Sequence, residues 1–217
     1  MILQHGTDGP PGRLGEWLAE RGIPYEVHRS DQAPPPEDVV RRPWIASLGS
    51  ELSATTPAPS WPADEIDAMR RAVDAGVPVL GLCFGGQALS LALGGRVEPA
   101  DPPEIGWVPV DPGDGIVTSG PWFQWHFEQL TVPPGAVELG RSAAGPAAFR
   151  IGPHLGTQFH PEATPAIACR WTELAGHTVP WLDAGELVRQ SEVVGGDAVR
   201  AQAFRLFDAW WAMGAGA

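Results

Sequence analysis

Gly81-Leu82-Cys83-Phe84-Gly85 has the form Gly-x-nucleophile-x-Gly, the spacing of a sharp strand-to-helix turn that presents a nucleophile at its apex. The glycines suit such a turn because a strained nucleophile backbone and a closely packed following helix leave no room for a Cβ. Cysteine gains chemistry there, since the orphan amides and macrodipole of a helix N-terminus stabilise the reactive thiolate. The same five residues also fit a buried structural cysteine in a glycine-rich βα turn. A partner base decides between the two.

The candidate bases are His5, His28, His126, His154, His160 and His177. None forms an HxH or HxxxH pair and no CxxC accompanies them, so the spacing argues against a metal site. His160 differs from the rest because "GTQFHPE" places Glu162 two residues after it. In an extended segment residues i and i+2 point the same way, which sets imidazole and carboxylate side by side. A thiolate needs an imidazole to exchange protons with, and the imidazole needs a carboxylate to hold its tautomer. Cys83, His160 and Glu162 supply one of each. A surface His-Pro-Glu turn explains the tripeptide alone, but not its combination with the elbow. The acid follows the histidine directly, whereas an α/β-hydrolase places it between nucleophile and histidine, so an esterase fold is disfavoured. Cys169, in "TPAIACRW" without flanking glycines, reads as packing.

The elements that position these residues alternate in the first half. Ile2 to His5 reads as a strand, and Leu14, Trp17, Leu18 and Arg21 mark a helix stopped by Gly22. Tyr25 to His28 is the next strand, "SDQAPPPEDVVRRP" a loop, and Trp44 to Leu48 a third strand. Ile66, Met69 and Val73 place a helix over about 63–75, and Val77 to Leu82 is the strand entering the elbow, with helix periodicity resuming from Gln87 to Leu93. This alternation implies βαβ units and a mostly parallel sheet, with ligands at the carboxyl ends of its strands. From about Ile105 the runs "IGWVPV", "WFQWHFEQLTV", "AAFRIG" and "HLGTQFH" read as added antiparallel strands. A helical segment over about 163–217 closes the chain, with Val199, Ala203, Leu206, Phe207, Trp210 and Met213 on one face. Trp210-Trp211 belongs to the core or its edge by this reading rather than to a second subunit.

The 217 residues, 43% hydrophobic, suffice for one sizeable core and suggest a single domain over 1–217. A net charge of −12 without a basic cluster disfavours nucleic acid as a partner. The apolar run 76–95 contains six glycines and a proline, which disfavours a membrane span. "MILQHGTDGP" lacks a secretory n- and h-region, and two cysteines make a poor disulfide framework, so a cytoplasmic setting is the expectation. The chain carries no P-loop GxxxxGK[ST] and no cofactor signature.

"GVPVLGLCFGGQ" and "GTQFHPE" resemble the hallmarks of class I glutamine amidotransferases. "PEIGWVPV", "FQWH", "LTVPPGA" and "FHPEATP" bring the resemblance to the stand-alone, GMP-synthase-like branch and extend it over most of the chain. The resemblance implies a flavodoxin-like three-layer α/β sandwich with a mostly parallel central sheet and added antiparallel strands. It also implies that Cys83 attacks a γ-carboxamide, that ammonia leaves, and that water resolves a γ-glutamyl thioester. Backbone amides of Gly49 and Phe84 would hold the oxyanion. Gln87, Trp125, His126, Phe127 and Glu128 would lie against the substrate, glutamine or another γ-glutamyl compound.

Two departures stand out. Many relatives carry Gly-Gly-Pro in the oxyanion loop, whereas this chain has Ser47-Leu48-Gly49-Ser50 followed by "ELSATTPAPS"; the segment that commonly reads His-Gly plus a small or acidic residue is here Trp125-His126-Phe127-Glu128. Phe127 adds bulk where close backbone approach is usual. Three functions remain in view: an amidotransferase-type glutaminase delivering ammonia to a synthetase or other acceptor enzyme in trans, a γ-glutamyl peptidase or hydrolase needing no partner, and a binding or regulatory protein that retains the fold. The intact triad weighs against the last.

Overall fold

The computed structural model describes residues 1–113, 115–175, 179 and 181–216, so His177 lies outside the described residues. Five strands form a parallel array: β1 (Ile2–Gln4), β2 (Val27–Arg29), β3 (Ile45–Ser47), β4 (Val79–Leu82) and β9 (His154–Thr157), in the order β2-β1-β3-β4-β9. Helix α1 (Gly12–Glu20) buries Leu14, Trp17 and Leu18, the i, i+3, i+4 face expected of it. Helix α2 (Trp61–Asp74) starts with proline in its first turn, where no intrahelical N–H is needed, and buries Ala68, Met69 and Ala72. Helix α3 (Phe84–Ala92) leaves directly from Cys83. Successive strand residues face opposite ways. Ile2, Ala46 and Leu80 pack with Leu14, Trp17 and Phe207, while Leu3, Ile45 and Val79 pack with Met69, Ala72 and Leu89.

The second half adds β5 (Val97–Pro112), β6 (Gly120–Leu130), β7 (Val137–Arg141) and β8 (Pro146–Ile151), completing a nine-stranded order β2-β1-β3-β4-β9-β8-β7-β5-β6. β5 and β6 form a long antiparallel ribbon whose register shifts between Pro99 and Glu104. The sheet is therefore mixed rather than mostly parallel: β8, β7, β5 and β6 are joined by antiparallel pairings. "HLGTQFH" corrects the sequence reading most directly. Its strand β9 pairs parallel with β4 and antiparallel with β8, so it is the seam between the two halves.

Other differences are local. "EDVVR" within the expected loop forms a 3-10 turn over Glu37–Arg41, anchored by buried Val39. Among the described residues the C-terminal segment holds three α-helices, α4 (Pro165–Ala175), α5 (Ala184–Val194) and α6 (Asp197–Trp210). The predicted apolar stripe is buried from Val199 to Trp210, but Met213 lies beyond α6 in a π-type turn over Trp211–Ala215. Trp210 is fully buried edge-on to Trp44, and Trp211 packs on Trp17 at the core's margin. No helix among the described residues is long and apolar enough to cross a membrane.

Candidate active site

The carboxyl ends of four parallel strands converge: β1 ends before His5, β3 before Leu48-Gly49, β4 before Cys83, and β9 before Gln158–Glu162. Cys83 has φ 53° and ψ −104°, and is the one non-glycine at positive φ among the described residues. Such a conformation costs about 1–3 kcal/mol and persists only where the surroundings impose it. The Cys83 N–H donates to the Thr157 carbonyl at 2.9 Å, and the Gly85 N–H donates to the Leu48 carbonyl at 3.1 Å. A Cβ on Gly85 would collide with the Ser47 carbonyl oxygen, so the second glycine of the elbow is needed for this approach.

His160 follows β9 and is fixed by its own N–H donating to the Phe123 carbonyl at 2.8 Å. Its Nδ1 lies 2.7 Å from Glu162 Oε1, and both side chains are buried. Cys83 is the other group that acts on its protonation. Burial pulls the imidazole's pKa down, but Cys83 and Glu162 outweigh it and push His160 up to about 10 from 6.5. The arrangement favours imidazolium between a sulfur and a carboxylate. Its stabilising contribution is whole below the ordinary 6.5 and disappears as pH rises through about 10. Thermal melts from pH 7 to 11 should show this fall, and it should be shallower in Cys83→Ala, which removes one of the two groups raising the pKa.

Gly49 lies against the imidazole: a Cβ there would sit 2.6 Å from His160 Cε1. Phe84 opens α3, so its N–H is one of the orphan donors of a helix start. Both expected oxyanion donors thus belong to backbone immediately around Cys83 and His160.

The profile of the family "Glutamine amidotransferase class-I" matches residues 17–168. The chain belongs to that family. The GMP synthase [glutamine-hydrolyzing] of Alkalilimnicola ehrlichii is 32% identical over 92% of this chain and 42% of its own length, and that of Aeropyrum pernix is 31% identical over 68% and 32%. The chain therefore spans less than half the length of these relatives. Among solved structures, a glutamine amido transferase from Methylobacillus flagellatus shares 28% identity with a TM-score of 0.89, covering 98% of this chain and 94% of that one. A Thermotoga maritima glutamine amidotransferase, 20% identical with a TM-score of 0.83 over 96% of each chain, shares the fold.

In this member of the family the segment expected beside the substrate divides in two. Trp125 is at the site, since its carbonyl lies 3.9 Å from Cys83 Sγ and its ring packs with Phe123 and Trp171. His126 points to the other face of β6. It is buried 3.3 Å from Glu104 on the neighbouring β5. Phe127, on the Trp125 face, is 49% exposed. Gln87 donates to the Glu128 carbonyl at 3.0 Å and reaches Gln158 Oε1 at 3.4 Å, so its amide binds protein groups and anchors the end of β6.

Three neighbours of the site escape the sequence reading. Gln158 donates toward Cys83 Sγ at 3.7 Å while its Oε1 accepts the Leu130 N–H at 2.8 Å. It lies inside "GTQFHPE", two residues before His160, in a stretch that bends after β9 and turns at Pro161-Glu162, so His160 and Glu162 meet across a turn and not, as expected, along an extended segment. Trp171 of α4 stands edge-on to His160 at 4.7 Å between ring centres and donates its indole N–H to the Asp8 carbonyl at 2.7 Å. His5 lies on the opposite side of Gly49, with Nδ1 3.0 Å from the Gly49 carbonyl. Its position just past a parallel strand was the available signal.

Proposed function

We propose that the protein hydrolyses the γ-carboxamide of glutamine through a Cys83 thioester and delivers ammonia to an acceptor enzyme acting outside these 217 residues. The carrying observation is the strained elbow that presents Cys83 beside a buried His160 whose Nδ1 lies 2.7 Å from Glu162. In this reaction Cys83 sulfur attacks the amide carbon, and the carbonyl oxygen becomes an oxyanion facing the Gly49 and Phe84 amides. His160 gives its proton to the departing nitrogen, ammonia leaves, and the thioester forms. His160, now neutral, takes a proton from water as that water attacks the thioester, and the collapsing intermediate returns sulfur to its starting state and releases glutamate. Glu162 keeps the imidazole oriented throughout. The GMP synthases above are named as glutamine-hydrolysing, which supports this substrate.

The same reading takes residues 1–217 as one domain in a cytoplasmic setting. It takes the parallel half as flavodoxin-like and three-layered, supported by the order β2-β1-β3-β4-β9 with helices packed on opposite faces.

Phe127 favours a second reading, a γ-glutamyl peptidase or hydrolase acting on a larger conjugate. It stands exposed on β6 two residues after Trp125, on the same strand face by alternation, and a glycine there would leave the backbone open. The deciding experiment measures glutamate release by the purified protein from L-glutamine and from γ-glutamyl amides with aromatic leaving groups. If Phe127 selects substrate, Phe127→Gly should raise kcat/KM for free glutamine by roughly 10-fold, the worth of one charged hydrogen bond regained, and lower it for the aromatic amides. Efficient turnover of glutamine by the wild type, lowered by Phe127→Gly, would leave the glutaminase reading and remove the second.

A further inference from the structure

Behind the Ser47-Leu48-Gly49 turn lies a buried pair that the mechanism above does not use. His5 Nε2 is 2.9 Å from Glu65 Oε2, and His5 Nδ1 is 3.0 Å from the Gly49 carbonyl. Ser47 Oγ donates to the other oxygen of Glu65 at 2.6 Å. Trp61 stacks on the imidazole and Phe84 meets it edge-on, each at 4.7 Å between ring centres, and Glu65 has no exposed surface. Substrate therefore cannot reach either group.

A carbonyl oxygen only accepts, so Nδ1 must carry a hydrogen. The second ring nitrogen faces a carboxylate that already accepts from Ser47, which makes an imidazolium–carboxylate pair the fitting state. Burial alone would lower the pKa of His5 and raise that of Glu65. Each nevertheless shifts the other way, because the two charges face one another. Burying two charges gives little net stability compared with packed apolar side chains, so stability is a weak explanation for the pair. Its geometry supplies a better one. Glu65 holds Ser47 directly and Gly49 through His5, while the Gly85 N–H holds the Leu48 carbonyl between them. In a trans peptide the C=O and the next N–H point opposite ways, so fixing the Leu48 and Gly49 carbonyls fixes the directions of the Gly49 and Ser50 amides.

We propose that His5 and Glu65 are positioning residues that pin both ends of the Ser47–Gly49 segment on either side of the Gly85–Leu48 hydrogen bond, so that this bond keeps the Gly49 amide toward the oxyanion. The chain thus holds Ser47-Leu48-Gly49 in place from behind. The inference rests on the glutaminase reading above.

The test uses the full chain with L-glutamine for turnover and iodoacetamide for the reactivity of Cys83. Displacement of iodide passes through no tetrahedral oxyanion, so the two readouts separate aiming of the amide from damage to the nucleophile. His5→Gln, which removes the donor to Gly49, should lower kcat by about 30- to 300-fold with KM changed less than about threefold, because the lost interaction is made in the transition state. Its alkylation rate should stay within about twofold of wild type. His5→Asn places an amide nitrogen where Nδ1 stood, keeps the Gly49 bond, and should recover most of the lost turnover. Ser47→Ala, a small change that keeps the charged pair, should lower kcat several-fold. Turnover equal to wild type in His5→Gln, or in Ser47→Ala should His5→Gln not fold, overturns the proposal, as does a parallel fall of turnover and alkylation. A wild-type protein that hydrolyses no γ-glutamyl amide overturns the catalytic reading as well, which separates that failure from this one.

Discussion

His160→Ala is expected to lower glutamate release from glutamine by about 10⁴-fold or more, whereas Glu162→Gln should cost about 10- to 100-fold. The difference follows from what each side chain does. Alanine in place of His160 removes the proton donor for departing ammonia, the base for the incoming water, and the positive charge opposite sulfur. Glutamine in place of Glu162 keeps an oxygen that can still accept from Nδ1 at the observed 2.7 Å, so the imidazole retains its orientation but loses a charge that raises its pKa. Among the described residues Glu162 Oε2 has no hydrogen-bond partner in its buried position, so an amide nitrogen there would be unsatisfied and would favour the flipped amide part of the time. In the flipped state the amide donates to Nδ1 and enforces the wrong tautomer, hence the measurable loss. Steady-state glutamate release by both variants, with alkylation of Cys83 as a second readout, checks this. Small and equal effects would show that "FHPE" is only a turn.

What the sequence revealed of this site was whatever the chain writes locally. The elbow occupies five consecutive residues and the His160–Glu162 pair three, so closeness in the chain and two glycines were enough to find them, although the pair meets across a turn and not along a strand. The strand and helix order of the first half was legible for the same reason, because α1 and α2 each expose one face and are closed by Gly22 and Gly76 at positive φ. The direction of β9 was not. His154–Thr157 is four residues long and buried throughout, as expected of a strand between two others, but nothing local says whether its partners run with it or against it.

The supporting residues were hidden by distance along the chain. His5, Ser47 and Glu65 come from the end of β1, the end of β3 and α2, and each is ordinary in its own segment. A glutamate on the buried face of an amphipathic helix was a detectable exception to the pattern, since carboxylates are rarely buried without a partner. Trp171 gave no such sign, because an aromatic on α4 looks the same whether it meets core or a catalytic imidazole. The protein contacts of Gln87 were hidden in the same way. Its amide is engaged by Glu128 and Gln158, two groups brought to it by β6 and the end of β9.

Cys83→Gly and Cys83→Ala should both abolish turnover, by about 10⁵-fold or more, yet differ from each other in stability. Each removes the sulfur that forms the thioester, and no other described side chain at the site offers a nucleophile in its place, so glutamate release should fall to background. The backbone separates them. At φ 53° and ψ −104° a Cβ is strained, and alanine keeps that Cβ whereas glycine does not. Relief of about 1–3 kcal/mol is partly offset by the greater freedom of glycine in the unfolded chain, about 0.5–1 kcal/mol. Glycine should therefore be the more stable replacement by about 1 kcal/mol, which in a chain of this size corresponds to roughly 2–4 °C in Tm. Because both variants lack the thiol, its pairing with His160 cancels from the comparison and the difference reports the elbow's strain. Paired thermal melts at neutral pH measure it. A glycine variant no more stable than the alanine variant would mean that the surroundings impose no strain at Cys83, and that the turn holds its nucleophile at no cost to the fold.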